Sequence, residues 1–170
     1  MKQFFIFIYY AFAYNLPSSF FPFGRFFNNF RIFCLRRFSQ IGVNSKIQNK
    51  VYLGNGENVI IGNNCQINEK VKLDNVTIGN FVMIAPGTVI LGKMHESQRI
   101  DIPMVLQGEK KSERTFIEED VWIGTNAIIM PGLRIRKGCI IAAGAVLTKD
   151  TIAYGVYAGI PAKLIKSRIN

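Results

Sequence analysis

A period of six constrains this chain more than any other feature. From Ile117 to Ile152 the sequence divides without remainder into IEEDVW, IGTNAI, IMPGLR, IRKGCI, IAAGAV and LTKDTI. A large aliphatic opens each unit, at Ile117, Ile123, Ile129, Ile135, Ile141 and Leu147. The fifth place is small or mid-sized, at Val121, Ala127, Leu133, Cys139, Ala145 and Thr151. An amphipathic helix needs apolar recurrence near ~3.6 residues and a half-buried strand near ~2. A spacing of six fits a chain that makes one short strand, turns a corner and repeats. Three such sides close a coil of about eighteen residues, and stacked coils bury a ladder of aliphatics along the axis. The spacing predicts a parallel β-helix.

The same step is present upstream, with interruptions. Ile41, Ile47 and Leu53 keep it; two extra residues around 55–58 delay the next opening to Ile61, and Ile67 and Leu73 follow. One residue is skipped before Ile78, Ile84 and Ile90, and a long polar break runs from Gly92 to Thr115. The expectation is about five coils, roughly 24 Å tall at ~4.8 Å per rung, with the third and fourth separated by an excursion. The chain then has three regions: an arm over 1–40, a β-helix over 41–152 with an inserted loop at 92–115, and a C-terminal tail with a short helix over 153–170.

The arm is a different kind of sequence. Fifteen aromatics lie between Phe4 and Phe38, and no Asp or Glu occurs before Glu57. The apolar run Phe4–Tyr14 is too short to span a bilayer. With Lys2 before it and Ala11-Phe12-Ala13 near its end the run has the outline of a secretory signal, but a single charge makes a weak n-region. Pro17-Ser18-Ser19 breaks the segment, and Ser18 or Ser19 is placed to cap a second helix. On that helix Phe26, Phe27, Phe30, Phe33, Cys34 and Phe38 share a face, with Arg25, Asn28, Asn29 and Arg36 opposite. Two uses fit such an arm: a cap over the open end of the solenoid, or a peripheral membrane contact through residues 1–38.

The charge balance, 21 Lys and Arg against 11 Asp and Glu, gives a net charge of +10. Such a charge can favour nucleic acid, but no nucleic-acid motif accompanies it and the arm accounts for part of it. Cys34, Cys65 and Cys139 have neither metal nor redox spacing, and the last two occupy the small fifth slot, which reads as core packing in a reducing compartment. With one histidine, the chain cannot assemble a three-imidazole zinc site, and no metal is expected. That histidine, His95, stands at the root of the one long excursion, and loops on rigid scaffolds are where chemistry collects. An imidazole ordinarily titrates near pH ~6.5 and can accept a proton at neutral pH.

The units Ile-Gly-x-x-small-x, His95 at the head of an interrupting loop, DVWIGTNAIIMPG, GAVLTKD and AGIPAKLIK together resemble the hexapeptide-repeat acyltransferases over residues 41–169. Within them the match resembles the galactoside, maltose and xenobiotic O-acetyltransferases, and the arm is more similar to the O-acetyltransferases of surface-polysaccharide clusters. The resemblance implies a left-handed coil, a homotrimer with active sites between neighbouring prisms, acetyl-CoA as donor and a sugar or glycan acceptor. It makes His95 the general base. It places Trp122 beside the reacting centre, the backbone at Gly124 and Thr125 near the thioester, and Ala143 along the pantetheine arm. Thr148, Lys149, Lys163 and Lys166 would hold the nucleotide and its phosphates, and the Ile160-Pro161 turn would support adenine. Asn68 and Glu69 fall where the galactoside type keeps an acceptor-side asparagine. Dependence on acetyl-CoA implies a cytoplasmic enzyme, with the inner membrane face as the station of a membrane-facing arm. The alternative is a catalytically silent solenoid serving as a scaffold or membrane-associated binding module.

Overall fold

The structure, a computed structural model, describes residues 1–169. Helix α1 (Lys2–Ala11), a 3₁₀ turn (Ala13–Asn15) and helix α2 (Gly24–Leu35) precede a three-sided parallel β-helix. The first face stacks β1 (Gln40–Ile41), β3 (Val59–Ile61), β6 (Val76–Ile78), β9 (Thr115–Ile117) and β12 (Arg134–Ile135). The second stacks β2 (Lys46–Ile47), β4 (Gln66–Ile67), β7 (Met83–Ile84), β10 (Trp122–Ile123), β13 (Ile140–Ile141) and β15 (Gly155–Gly159). The third stacks β5 (Lys72–Leu73), β8 (Val89–Ile90), β11 (Ile128–Ile129) and β14 (Val146–Leu147), and a Tyr52–Lys72 bridge gives the first coil its third side.

The unit-opening aliphatics meet in register. Ile41, Ile61, Ile78, Ile117 and Ile135 form one ladder, and Ile47, Ile67, Ile84, Ile123 and Ile141 a second. Leu73, Ile90, Ile129 and Leu147 form the third. All are buried, and each such side chain withdrawn from water contributes about 1.5–3 kcal/mol. The corner glycines serve close stacking as well as turning. A Cβ on Gly62 would lie 2.5 Å from Gly79 O, whereas the left-handed φ of these corners falls on neighbours such as Asn44 and Asn64.

Every departure from six falls at the corner between the third and first faces. The two extra residues (54–58), the skipped one (74–75), the long excursion and the turn after β14 all lie there. The excursion ends at Arg114 and not Thr115, because Thr115 already pairs with Val76. Beyond the five coils the second face gains a sixth rung, β15, hydrogen-bonded to β13 and folded back on antiparallel β16 (Ala162–Ser167). The expected C-terminal short helix is therefore a β-hairpin. The last coil leaves a strand edge unpaired, and Ala142 N–H donating to Tyr157 O at 2.8 Å shows that edge recruiting the tail; an exposed edge templates strand.

The arm lies across the first coil, and its inward face departs in part from the sequence expectation: Cys34 and Phe38 are buried and Arg25, Asn29 and Arg36 exposed as expected, but Asn28 turns inward and Phe26 and Phe33 outward. On α2 the buried residues are Gly24, Asn28, Arg31, Cys34 and Leu35, whereas Phe26 and Phe33 are exposed. The first coil ends in backbone groups that have no rung above them, and buried backbone groups must find partners. The arm supplies them as side chains. Ile47 N–H donates to Asn28 Oδ1 (2.9 Å), and Tyr9 and Tyr10 hydroxyls donate to Val51 O (2.6 Å) and Gly54 O (2.8 Å). Arg31, fully buried, donates from Nη1 to Ile47 O (3.1 Å), from Nε to Ala13 O (3.0 Å) and from Nη2 to Leu16 O (2.6 Å) and Pro17 O. Arg36 bonds Ile41 O and Gly42 O. Ser18 and Ser19 cap no helix. Ser19 instead exchanges two hydrogen bonds with the Gln48 side chain, and α2 starts after Phe23 in a left-handed conformation.

At the corner between the first and second faces, Glu118 bridges two coils. It accepts from Lys137 N–H (2.9 Å) and pairs with Arg136 (3.1 Å) and Arg134 (3.6 Å). The Lys137 amide foremost, with Arg136 and Arg134 behind it, holds the Glu118 carboxyl below the usual carboxylate range. A depressed native pKa gives stability that is present above the unfolded pKa and lost as pH falls through the native one. Thermal melts from neutral pH into the acid range should show the wild type losing stability more steeply than Glu118→Gln.

Candidate active site

The excursion is a narrow two-armed loop. Its arms pair antiparallel, with Lys110 N–H donating to Met94 O (2.8 Å), Glu96 N–H to Gly108 O (3.1 Å) and Glu113 N–H to Gly92 O (2.8 Å). His95 stands opposite Glu109 in this pairing, and directly opposed residues project to the same side. The His95 side chain is exposed. Glu109 is ion-paired with Lys93, and its carboxyl is held below the usual range chiefly by the Lys93 hydrogen bond and least by His95. The tip is tied by the Gln107 amide, which donates to Arg99 O (2.7 Å) and Ile102 O (3.0 Å). A base on this loop is thus carried by a braced arm and not a slack one.

The other expected site residues divide between two corners. Gly124, Thr125 and Ala143 lie at the corner between the second and third faces, where Gly144 N–H donates to Thr125 O (2.8 Å). A Cβ on Gly124 would sit 2.5 Å from Ala143 N, so coil stacking demands glycine there. Thr125 and Ala143 are exposed. Trp122 projects outward from β10, 48% exposed, with Met83 above it and Ile140 below it in register. The turn joining β15 to β16, with Ile160 and Pro161, continues this corner downward, and Lys163 and Lys166 follow on β16 opposite Ala158 and Val156. Thr148 and Lys149 lie elsewhere, after β14, at the corner that also carries His95. The two corners are separated by one face, on the order of 15–20 Å for five or six extended residues. One chain does not bring His95 to Trp122 and Ala143.

Asn68 is committed to the scaffold. Its Nδ2 donates to Ile84 O (3.0 Å) and its Oδ1 accepts from Gln66 (3.3 Å). Glu69 beside it is half-buried. Sequence reasoning missed a hollow of about 250 Å³ above the loop root, lined by Tyr52, Asn55, Asn58, Lys72, Asp74 and Lys93 among others. An aromatic ring beside amide, carboxylate and ammonium groups offers a sugar both an apolar face and hydrogen-bond partners. Its signal was the pair of extra residues at 54–58, which read only as an interruption. Burial raises the Cys34 and Cys65 thiols above their ordinary pKa, and all three cysteines are buried. Among the described residues no three His, Cys, Asp or Glu side chains converge as a metal site.

The repeats match the family model for bacterial transferase hexapeptide (six repeats) over residues 57–92 and 114–149. These are the hexapeptide repeats of that family, and they lie on both sides of the excursion. It is 33% identical over 139 residues to a galactoside O-acetyltransferase of Lactococcus lactis, covering 79% of this chain and 65% of the relative. The galactoside O-acetyltransferase of Escherichia coli is also 33% identical, over 132 residues, covering 76% of this chain and 64% of that protein. The chain thus spans a little under two thirds of the length of these relatives. In fold it is similar to a hexapeptide-repeat-containing acetyltransferase of Vibrio cholerae solved with acetyl coenzyme A. That similarity has a TM-score of 0.83 at 24% identity and covers 99% of this chain and 88% of the other.

Proposed function

We propose that this chain is an acetyltransferase that moves the acetyl group of acetyl-CoA to a hydroxyl of a sugar or glycan precursor. The observation that carries the reading is a coincidence of position and relationship. The one histidine stands on a braced arm at the one long excursion, in a chain 33% identical over 79% of its length to a galactoside O-acetyltransferase. His95 acts as general base in a ternary complex. It takes the proton of the acceptor hydroxyl as that oxygen attacks the thioester carbonyl; the C–S bond then breaks, and the leaving thiolate takes the proton from the imidazolium. Backbone N–H groups at Gly124 and Thr125 serve the developing oxyanion. The buried cysteines, with raised pKa at Cys34 and Cys65, are poor nucleophiles, which favours direct transfer over an acyl-enzyme.

The separation of the two half-sites on one prism supports a homotrimer. The His95 and Lys149 corner of one copy would face the Trp122, Thr125 and Ala143 corner of the next, and the site would be complete only between them. The half-exposed Met83 and Trp122 on the second face are apolar surface of the kind such a contact covers. Acetyl-CoA as donor places the reaction in the cytoplasm. The hollow at Tyr52 and Asp74 lies on the acceptor side of this arrangement. The test of the reaction is acetyl-CoA consumption against a panel of sugars, nucleotide sugars and lipid-linked glycans, where turnover with none would reject the reading. Lys149 and Lys166 carry the donor's phosphates, a task suited to ammonium groups. Replacing both with Ala should raise KM for acetyl-CoA about 10-fold or more with little change in the acceptor's KM; about 1.4 kcal/mol corresponds to each tenfold. A larger effect on the acceptor would show that the donor and acceptor sides are exchanged.

A further inference from the structure

The packing of α2 leaves a surface that the cap does not explain. Capping buries Tyr9 and Phe38 and half-buries Phe5, Tyr10 and Phe30, but eight phenylalanines of the arm remain exposed. Four of these cluster at the turn into α2: Phe20 (76% exposed), Phe21 (62%), Phe23 (82%) and Phe26 (67%). Beside them Arg25 and Lys46 border two adjoining hollows of about 380 and 390 Å³, the first shared with Phe20 and the second with Arg36. None of these three cations is ion-paired among the described residues, and no carboxylate precedes Glu57 in sequence. Contiguous exposed apolar surface on a folded protein marks an interaction site. A patch that is both cationic and aromatic matches the interface of an anionic bilayer, where rings sit at the acyl boundary and guanidinium and ammonium groups meet lipid phosphates.

We propose that the outer face of the arm docks on an anionic membrane surface. Phe20, Phe21 and Phe23 enter the interface, and Arg25 and Lys46 receive phosphate headgroups in the hollows beside them. No helix among the described residues is long and apolar enough to cross a membrane, so the contact is peripheral. This inference is independent of the acetyl-transfer reading, because it rests only on residues 19–46.

The full-length chain should co-sediment with sucrose-loaded vesicles of phosphatidylcholine containing about a third phosphatidylglycerol. Binding to phosphatidylcholine alone should be at least about tenfold weaker, and added salt should release the bound chain. The triple variant Phe20→Ser, Phe21→Ser, Phe23→Ser should bind at least about tenfold less. The pair Arg25→Gln, Lys46→Gln should lose roughly fivefold per charge. These side chains are exposed, so melting curves should match the wild type. As a second measurement, Phe21→Cys carrying an environment-sensitive dye in the otherwise native chain should shift to the blue on anionic vesicles. A wild-type chain that ignores vesicles overturns the proposal, and a face covered by another copy of the chain would give that result. Equal binding to neutral and anionic vesicles, full binding by the triple variant, or a dye that stays in water overturns it as well. Acetyl transfer to a soluble sugar in the same preparation reports separately on the active site.

Discussion

Replacing His95 with alanine should lower kcat by about 10²–10⁴-fold, the range typical of losing a positioned general base. The KM for acetyl-CoA should stay near the wild-type value. The imidazole lies on the excursion, one face away from the corner carrying Thr125 and Ala143, and its loss removes no donor contact from that corner. An effect confined to kcat is the mark of an interaction made in the transition state. The loop should survive the change, because its bracing comes from the backbone pairing of its arms and from the Gln107 amide, not from the imidazole. Steady-state kinetics on the folded protein decide the matter. Near-normal turnover by His95→Ala would remove the proposed base, and ping-pong kinetics with an isolable acetyl-cysteine would replace the mechanism.

The second large effect is structural. Arg31→Met should destabilise the chain by about 3 kcal/mol or more. The guanidinium is fully buried and serves four carbonyl oxygens, at Ala13, Leu16, Pro17 and Ile47. Methionine has similar length and fills most of the space, but it donates nothing. Each buried carbonyl stripped of its partner costs about 1–3 kcal/mol, and water entering the site would recover only part of that. For a chain of this size that loss lowers Tm by roughly 6–12 °C. Desolvation pulls the Arg31 pKa down from its ordinary value, yet an arginine stays charged, so the loss should be equal on the two sides of neutrality, at about pH 6 and about pH 8. Calorimetry at both values would test the assignment. A Tm within about 2 °C of wild type would mean that the arm is held by its aromatic contacts alone.

The β-helix was legible because its evidence repeats. Ile117, Ile123 and Ile129 each belong to one of the three ladders, and each further unit restates the same register. The ends carry no repeat. The wheel of α2 placed Phe26 and Phe33 inward because patterning reads polar as solvent-facing. The bare rim of the first coil overrides that preference at Asn28 and draws Arg31 inward, while Cys34 and Phe38 keep the inward side the wheel gave them. The tail had the same history: AKLIK reads acceptably as helix until a free strand edge beside β13 is known. At the site, the count of six shows which corner carries His95, Thr125 or Lys149. It does not show which copy of the chain each corner meets. The hollow at Tyr52 and Asp74 depends on how two extra residues fold back, which no spacing encodes.

That all irregular lengths gather at one corner has a consequence for how such a protein can change. One residue added within either of the other corners would put the next strand out of phase, turning its aliphatics toward water and its polar residues inward. At the corner between the third and first faces a change of length is absorbed before the next strand begins, as the gain at 54–58, the loss at 74–75 and the twenty-odd residues of the excursion all show. Novelty in this molecule is therefore confined to one vertical strip, which holds His95, Lys149 and the hollow at Tyr52. Descent with insertion can reshape what is recognised there without renegotiating the core, and a designer wishing to graft a new acceptor site would cut and splice along the same line.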